Sequence, residues 1–361
     1  MAVDEARLEE LIGRVAVDLG ASLSAALVGI GDRLGLYRAL ADIGPATPAE
    51  LADRTGTRER YVREWLINQA ASGYVSYDAE AERFHMSEEQ ALALADEDSQ
   101  VNMIGGFYVA SSAYLDASKM VDRFRSGDGL AWGDHHHNLF EGTERLFAPG
   151  YRANLVGSWI PALDGVEEKL RSGALVADVG CGHGASTIIM ARAFPASRFV
   201  GFDNHAGSVE QANERAREAG VDDRVRFEVA GASDFPGEGY DLVAHFDCFH
   251  DLGDPAGAAR HVRDALAEDG TWMIVEPNAG DRVEDQFNPV GRLFSAASTV
   301  ICVPSSLADH DHGAALGAVA GEARTRAVVE GSGFGRFRRA TETPFNLVYE
   351  ARIQRAGGEV Q

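Results

Sequence analysis

Cysteine, basic side chains and unbroken apolar stretches are all scarce in this sequence. Its 361 residues hold three cysteines (Cys181, Cys248 and Cys302) and no CxxC pair. That excludes a disulfide framework and suits a reducing compartment, so a cytoplasmic location is expected. Lys and Arg number 33 against 56 Asp and Glu, a formal net charge of -23. Binding to a phosphate backbone or to an anionic membrane surface draws on cationic side chains, so no nucleic acid and no membrane partner is expected. The longest apolar runs fall well short of the ~20 residues of a membrane helix, and no span is expected. The opening stretch, MAVDEARLEE, is acidic and lacks the basic and apolar regions of a secretory leader. Apolar residues themselves are plentiful, at 45%. That supplies a sizeable core for one large or two ordinary domains and argues against disorder.

The first hundred residues read as helical. Ala21 to Ile43 is rich in Leu and Ala at helical spacing. Thr47-Pro48-Ala49-Glu50 is a capping box with proline at the first helical position, and that helix ends near Gly56. A second helix from about Thr57 carries Tyr61, Val62, Trp65, Leu66 and Ala70 as an apolar stripe. It stops at Gly73. Tyr74–Tyr77 and Arg83–Met86 then read as a hairpin, so the order matches a winged helix. Residues 101–170 mix aromatics, Gly and His, with a helical pattern from Arg152 to Leu170 broken at Pro161.

From Ala174 short apolar runs alternate with helices: 175–179, 199–202, 225–229, 240–246 and 271–275. One helix opens at Ser208 with Gln211 three residues on, a further capping box. This alternation predicts a parallel sheet covered on both faces. The last two runs, 336–341 and 345–352, flank Pro344 and read as an antiparallel hairpin. The boundaries are then 1–100, 101–170 and 171–353, with 278–320 as an insertion that the core does not need.

Asp178-Val179-Gly180-Cys181-Gly182-His183-Gly184 lies between the first strand and a helix. A sharp strand-to-helix turn of this kind needs glycines, and ligands lie over the carboxyl ends of such strands. The spacing admits two readings. Gly180, Gly182 and Ala185 satisfy the dinucleotide pattern GxGxxG/A. The D-x-G-x-G-x-G loop of S-adenosylmethionine (SAM) enzymes fits equally. Asp203, at the end of the second strand, can accept ribose hydroxyls in either case. The closing hairpin separates the two, because nicotinamide folds usually continue parallel.

With these features residues 171–353 resemble a class I SAM-dependent methyltransferase, strand order 3-2-1-4-5-7-6. The whole chain is similar to actinobacterial-type small-molecule methyltransferases with an N-terminal winged-helix domain. The fold class this implies is α/β: a Rossmann-like seven-stranded core with a closing antiparallel hairpin, preceded by a mainly α winged-helix domain. The resemblance implies SAM as cofactor, contacted by Asp178, Gly180, Cys181, Gly182, Asp203, Asn204, Ala232, Ser233 and Phe246. Cys181 is read as a small residue filling a tight turn, not as a nucleophile. Many relatives carry Asp where this chain has Gly231 or Ala232, which leaves Ser233 and Asp234 as candidates to meet the adenine. His183 and His205 flank the loop and Asp203.

Phe246-Asp247-Cys248-Phe249-His250-Asp251-Leu252-Gly253-Asp254 follows the fourth strand, and the fifth ends in Glu276. This order is similar to the His-Asp-Trp-x-Asp segment of small-molecule O-methyltransferases, with Leu252 in place of the usual Trp. Carried over, His250 is the catalytic base and Glu276 its orienting partner. A hydroxyl nucleophile improves on losing its proton, and the pKa of His lies near the working pH. The structural alternative for His250 is a loop histidine bonding Asp251 or the backbone. The run His135-His136-His137 and the pair His310 and His312, with Asp309 and Asp311, are read as solvated or cap residues, and no metal is assigned. Trp132 and His137 are candidates to line a pocket. The insertion 278–320, with Phe287, Phe294, Val300, Ile301 and Val303, is read as a cap over a small-molecule acceptor.

The second helix of the winged helix carries Arg58, Arg60 and Arg63 but also Glu59 and Glu64, and Asp78, Glu80 and Glu82 crowd the wing. The resemblance implies that this module forms a homodimer and helps close the substrate site. The competing readings are a SAM-fold regulator or sensor without methyl transfer, and an NAD-dependent oxidoreductase.

Overall fold

The computed structural model describes residues 3–309 and 313–354. Its chain divides into two compact units, residues 1–115 with 136–150, and residues 116–135 with 151–361.

The first unit holds α1 (Glu5–Arg33), α2 (Leu36–Ile43), α3 (Pro48–Thr55) and α4 (Glu59–Ala71), then the strands β1 (Ser76–Asp78) and β2 (Arg83–His85) and the helix α5 (Glu88–Leu94). α3 starts as the capping box requires: Glu50 N–H donates to Thr47 Oγ1 at 3.3 Å, and Thr47 N–H donates to Glu50 Oε2 at 2.8 Å. β1 and β2 pair antiparallel, Tyr77 opposite Phe84, which completes the winged helix. Trp65, Leu66, Tyr37 and Leu40 form its core. Trp65 Nε1–H donates to Leu27 O at 2.9 Å, and its ring packs closely against Gly31 of α1. A Cβ on Gly31 would stand 2.5 Å from Trp65 Cζ2. α6 (Ile104–Ser126) and α7 (Asn138–Asn154) each run from one unit into the other.

The second unit is built on β3 (Leu175–Val179), β4 (Arg198–Asp203), β5 (Val225–Val229), β6 (Tyr240–Phe246), β7 (Leu266–Pro277), β8 (Arg336–Glu342) and β9 (Asn346–Arg352). The sheet order is β5-β4-β3-β6-β7-β9-β8. Counted along the sheet's own strands this is 3-2-1-4-5-7-6, as the sequence implied. β3 to β7 are parallel neighbours, and β9 runs antiparallel to both β7 and β8. That closing hairpin removes the basis of the nicotinamide reading. The helices are α8 (Val166–Ser172), α9 (Ala185–Ala193), α10 (Ala206–Glu218), α11 (Pro255–Ala265), α12 (Pro289–Ala297), α13 (Val303–Asp309) and α14 (Gly321–Gly331). Trp272, Ile274, Val243, Phe202 and Tyr349 belong to the buried core of the sheet.

Three local expectations are corrected. α10 begins at Ala206 rather than Ser208, because His205 is the cap and its ring Nδ1 accepts from Ser208 N–H at 3.2 Å. Around Pro161 the chain does not simply break. It passes through a π-turn (Leu155–Trp159) and a 3-10 turn (Ile160–Ala162), with Pro161 at a position that needs no donor. Finally, α1 and the continuous helical stretch Pro289–Asp309 are each long and apolar enough to cross a membrane by length and composition. The shortness of unbroken apolar runs therefore does not by itself exclude a span.

Gly31→Ala should destabilise the protein by ~1–2 kcal/mol in denaturant unfolding, because the buried Trp65 ring has to shift to admit the methyl group. A gain in stability, as expected from helix propensity alone, would show that the ring moves freely.

Candidate active site

β3 is buried from Val176 onward and ends in Asp178-Val179. The chain then turns through Gly180 (φ +74), Gly182 (φ +52) and Gly184 (φ +81) into α9. A Cβ at Gly180 would lie 2.5 Å from Cys248 Sγ, whereas at Gly182 it would stand in open space. The turn therefore packs β3 against the end of β6 on one side and leaves bare backbone on the other. Asp178 is fully buried, and its Oδ2 accepts from the hydroxyls of Ser186 and Thr187, both at 2.6 Å. Oδ1 is buried with no hydrogen-bond partner among the described residues. Burial pushes this carboxyl up to about 6.

Asp203 ends β4 beside the same turn. Oδ2 accepts from Gly182 N–H and Oδ1 from His205 N–H, each at 2.9 Å. Burial raises its pKa, and these two N–H donors oppose the rise. One carboxylate thus fixes both the glycine turn and the cap of α10, with further lone pairs left for a ligand. Asn204 is exposed beside it, and Ala232 and Ser233 follow β5 as half-buried and exposed residues. Asp234 Oδ1 accepts from Gly231 N–H at 2.9 Å, closing a local turn. Cys181 is buried in the glycine turn, and burial raises its thiol well above the usual range. His183 is half-buried and held below its usual pKa by burial.

β6 ends at Phe246, whose ring packs on Tyr151 at 5.3 Å between centroids. Asp247 continues the ladder by one bond, its N–H donating to Val275 O at 2.8 Å. It then adopts φ +52, a conformation rare for a residue with a side chain. Tyr151 Oη and Asn346 Nδ2 each donate to its carboxylate at 2.9 Å. Burial, with the negative charge of Glu276, pushes Asp247 up to about 7.

The turn at Asp247 delivers His250 in a 3-10 turn, Phe249–Asp251. His250 is 4% exposed, and its Nδ1–H donates to Glu276 Oε2 at 2.6 Å. On the other side Nε2 lies 3.1 Å from Asp251 Oδ1. Burial alone would lower the imidazole pKa, but the carboxylates of Asp251 and Glu276 outweigh it and hold His250 well above its usual value. The structure therefore brings together Asp178, Gly180, Cys181, Gly182, Asp203 and Phe246 along the carboxyl edge of the sheet, and His250 with Glu276 next to them. Asp247, Tyr151 and Cys302 belong to the same neighbourhood and were not singled out from sequence, whereas Asp251 was named only as a structural partner of His250, a contact that is present at 3.1 Å. An acid directly after a buried strand, in a motif already containing His250, was the available signal for Asp247.

The other histidines scatter. His135 is buried against Asp116, Nδ1 to Oδ2 at 3.2 Å, and burial lowers its pKa. Asp309 Oδ2 accepts from Gly253 N–H at 3.2 Å, while His310, Asp311 and His312 lie outside the described residues.

The Asp178 carboxyl carries a pH signature. Its folded pKa of about 6 stands above the usual 3.8, so the folded state prefers it protonated. That contribution is full below pH ~4 and is lost as pH rises through ~6. Relative to Asp178→Asn, the ligand-free wild type should lose about 1 kcal/mol between pH 5 and pH 8 in thermal unfolding. A pH-independent difference would mean that Asp178 stays ionised throughout.

Comparison with known proteins places this geometry. Residues 170–312 match a family model described as a methyltransferase domain, and residues 21–96 match the Rv2258c-like winged HTH domain. Over 145 residues the chain is 32% identical to the 27-O-demethylrifamycin SV methyltransferase of Amycolatopsis mediterranei, covering 40% of this chain and 48% of that protein. It is 29% identical over 107 residues to the trans-aconitate 2-methyltransferase of Afipia carboxidovorans, covering 30% of this chain and 40% of that protein. The chain thus spans about half or less of these curated relatives. Human N-acetylserotonin methyltransferase in complex with SAM shares the fold at a TM-score of 0.67 and 16% identity, covering 98% of this chain and 99% of that one. By its strand order and these likenesses the chain has the fold of the class I S-adenosylmethionine-dependent methyltransferases, with residues 170–312 matching a methyltransferase domain and residues 21–96 a winged-helix domain on its N-terminal side.

Proposed function

We propose that the protein transfers a methyl group from SAM to an oxygen of a small-molecule acceptor, with His250 as general base and Glu276 as the residue that orients it. The observation that carries this reading is the buried 2.6 Å bond between His250 Nδ1 and Glu276 Oε2 at the carboxyl edge of the sheet. A carboxylate accepts only, so Nδ1 holds the proton and Nε2 is the nitrogen that can take one.

The residues present fit the cofactor. Bare backbone at Gly182 leaves room that a Cβ would fill, and Asp178 presents an unpartnered buried oxygen. Asp178 and Asp203 form an acidic pair suited to a ligand that carries ammonium and sulfonium charges and a ribose diol. Ala232 and Ser233 would meet the base, and Asn204, Cys181 and Phe246 would line the walls. When bound, SAM supplies an electrophilic methyl on a cationic sulfur. The chain's own work is to hold the acceptor oxygen in line and remove its proton. For that, the acceptor hydroxyl takes the place at Nε2 that Asp251 holds at 3.1 Å, and the proton already on the pair leaves to solvent. The segment 278–320 serves as the cap over the acceptor.

The winged helix is read as a dimerisation module acting in the cytoplasm, not as a DNA reader. Arg60 and Arg63 are each paired within α4, to Glu64 and Glu59, which leaves little free charge for phosphate. On α1, Leu11, Val15, Leu19 and Leu23 are exposed at helical spacing, a stripe that a second copy would cover.

Two measurements decide these readings. With a hydroxylated acceptor found by screening, His250→Ala should lower kcat by ~100-fold or more with SAM affinity nearly unchanged. Unchanged turnover removes His250 from the mechanism. In light scattering the full chain should run as a dimer, and Leu11→Glu with Leu19→Glu should run as a folded monomer. A wild-type monomer would sink the dimer reading.

A further inference from the structure

Two separate stretches converge on the far side of the His250 ring from Glu276. One is the turn Phe249–Asp251, and the other is the π-turn Ser298–Cys302 that joins α12 to α13. His250 Nε2, a carboxylate oxygen of Asp251 and Cys302 Sγ all lie within 4.8 Å of one another. His250 and Cys302 are 4% and 6% exposed. Asp251 Oδ1, 3.1 Å from Nε2, is buried without an aligned hydrogen bond among the described residues, and the same holds for Glu276 Oε1. Asp251 thus has only the strained approach of His250 and Cys302 to offset its burial, Glu276 Oε1 has no donor, and a cation would relieve that cost.

We propose that His250, Asp251 and Cys302 form a binding site for one divalent cation of the zinc class, and that its occupancy withholds His250 from proton transfer. The donor set is one imidazole nitrogen, one carboxylate oxygen and one thiolate, with a fourth position open. Metal–ligand lengths of about 2.0–2.3 Å put tetrahedral ligands roughly 3.3–3.8 Å apart, so the cluster closes by side-chain rotations of about 1 Å. Glu276, bonded to the other ring nitrogen, already stands where a carboxylate orients a metal-bound imidazole. Magnesium and calcium select all-oxygen sites and are not expected to compete. On binding, the Cys302 S–H bond breaks, its proton goes to solvent and sulfur bonds the metal, with no change of oxidation state. The inhibitory half rests on His250 being the base, while the site itself does not.

The test is titration of the reduced full-length protein with Co2+ as a spectroscopic stand-in. We expect one equivalent to give a thiolate-to-cobalt charge-transfer band that Zn2+ displaces and Mg2+ leaves intact. The band should disappear in Cys302→Ser and persist in Cys181→Ser. In the methyl-transfer assay Zn2+ should inhibit the wild type, and Cys302→Ser, measured against its own turnover without metal, should need at least ten times more Zn2+ for half-inhibition. No band, or a band that survives in Cys302→Ser, overturns the site. A saturated band with full turnover overturns the inhibitory role. Should His250→Ala keep its turnover, the base reading fails separately, and the cobalt band still decides the site.

Discussion

The bond between Glu276 and His250 ties together the ends of two adjacent parallel strands, and the geometry of the site hangs on it. β6 and β7 run in register with His245 opposite Ile274 and Phe246 opposite Val275. One step further, Asp247 is still bonded to Val275, and β7 continues to Glu276 while β6 turns away. The left-handed φ of Asp247 is the device that turns it. A residue with a Cβ is held there because Tyr151, Asn346 and the backbone of β7 bind it from three sides. His250 then reaches Glu276 within a single 3-10 turn, and a slip of one residue in the register would put Glu276 on the opposite face.

The buried acids divide by their partners. Glu350, also fully buried, is paired with Arg338 and Arg352 and belongs to the fabric of the closing hairpin. Asp178, Asp247 and Glu276 have hydroxyl, amide or imidazole partners in the contacts above and no guanidinium among them. Burying such groups works against folding unless something cationic joins them. The raised values of Asp178 and Asp247, about 6 and about 7, are the sign of that cost. The negative edge of the sheet therefore suits the cationic cofactor proposed above, which would offset part of that cost on binding.

Much of this was legible in the sequence because it is local. Five apolar runs and a closing hairpin are enough for a parallel sheet with an antiparallel end, and the strand order follows from the resemblance that those features carry. The glycine turn, Asp203 and His250 stand at strand ends, where a parallel sheet places its ligands. His205 shows where local reading stops. Ser208 with Gln211 looked like a capping box, but a histidine three residues earlier supplies the acceptor and sets the start of α10.

His245 and His250 show the same limit more sharply. They are five residues apart, His245 in β6 and His250 in the motif that follows it, and both are buried. His245 Nδ1 accepts from Trp272 Nε1 at 3.0 Å, and burial drives its pKa down to about 3, so it is a neutral part of the core. His250 lies between two carboxylates and is driven the other way. Only the residues opposite each ring distinguish them: Trp272 on the inward-facing side of β7, Glu276 at its end. Cys302 is further still from local reading, since it arrives from an insertion dozens of residues away. Elements are specified by neighbours in the chain, whereas the charge state of a side chain is specified by neighbours in space. The sequence could therefore place His250 at the right edge of the sheet without disclosing that Asp251 and Cys302 crowd its outer nitrogen.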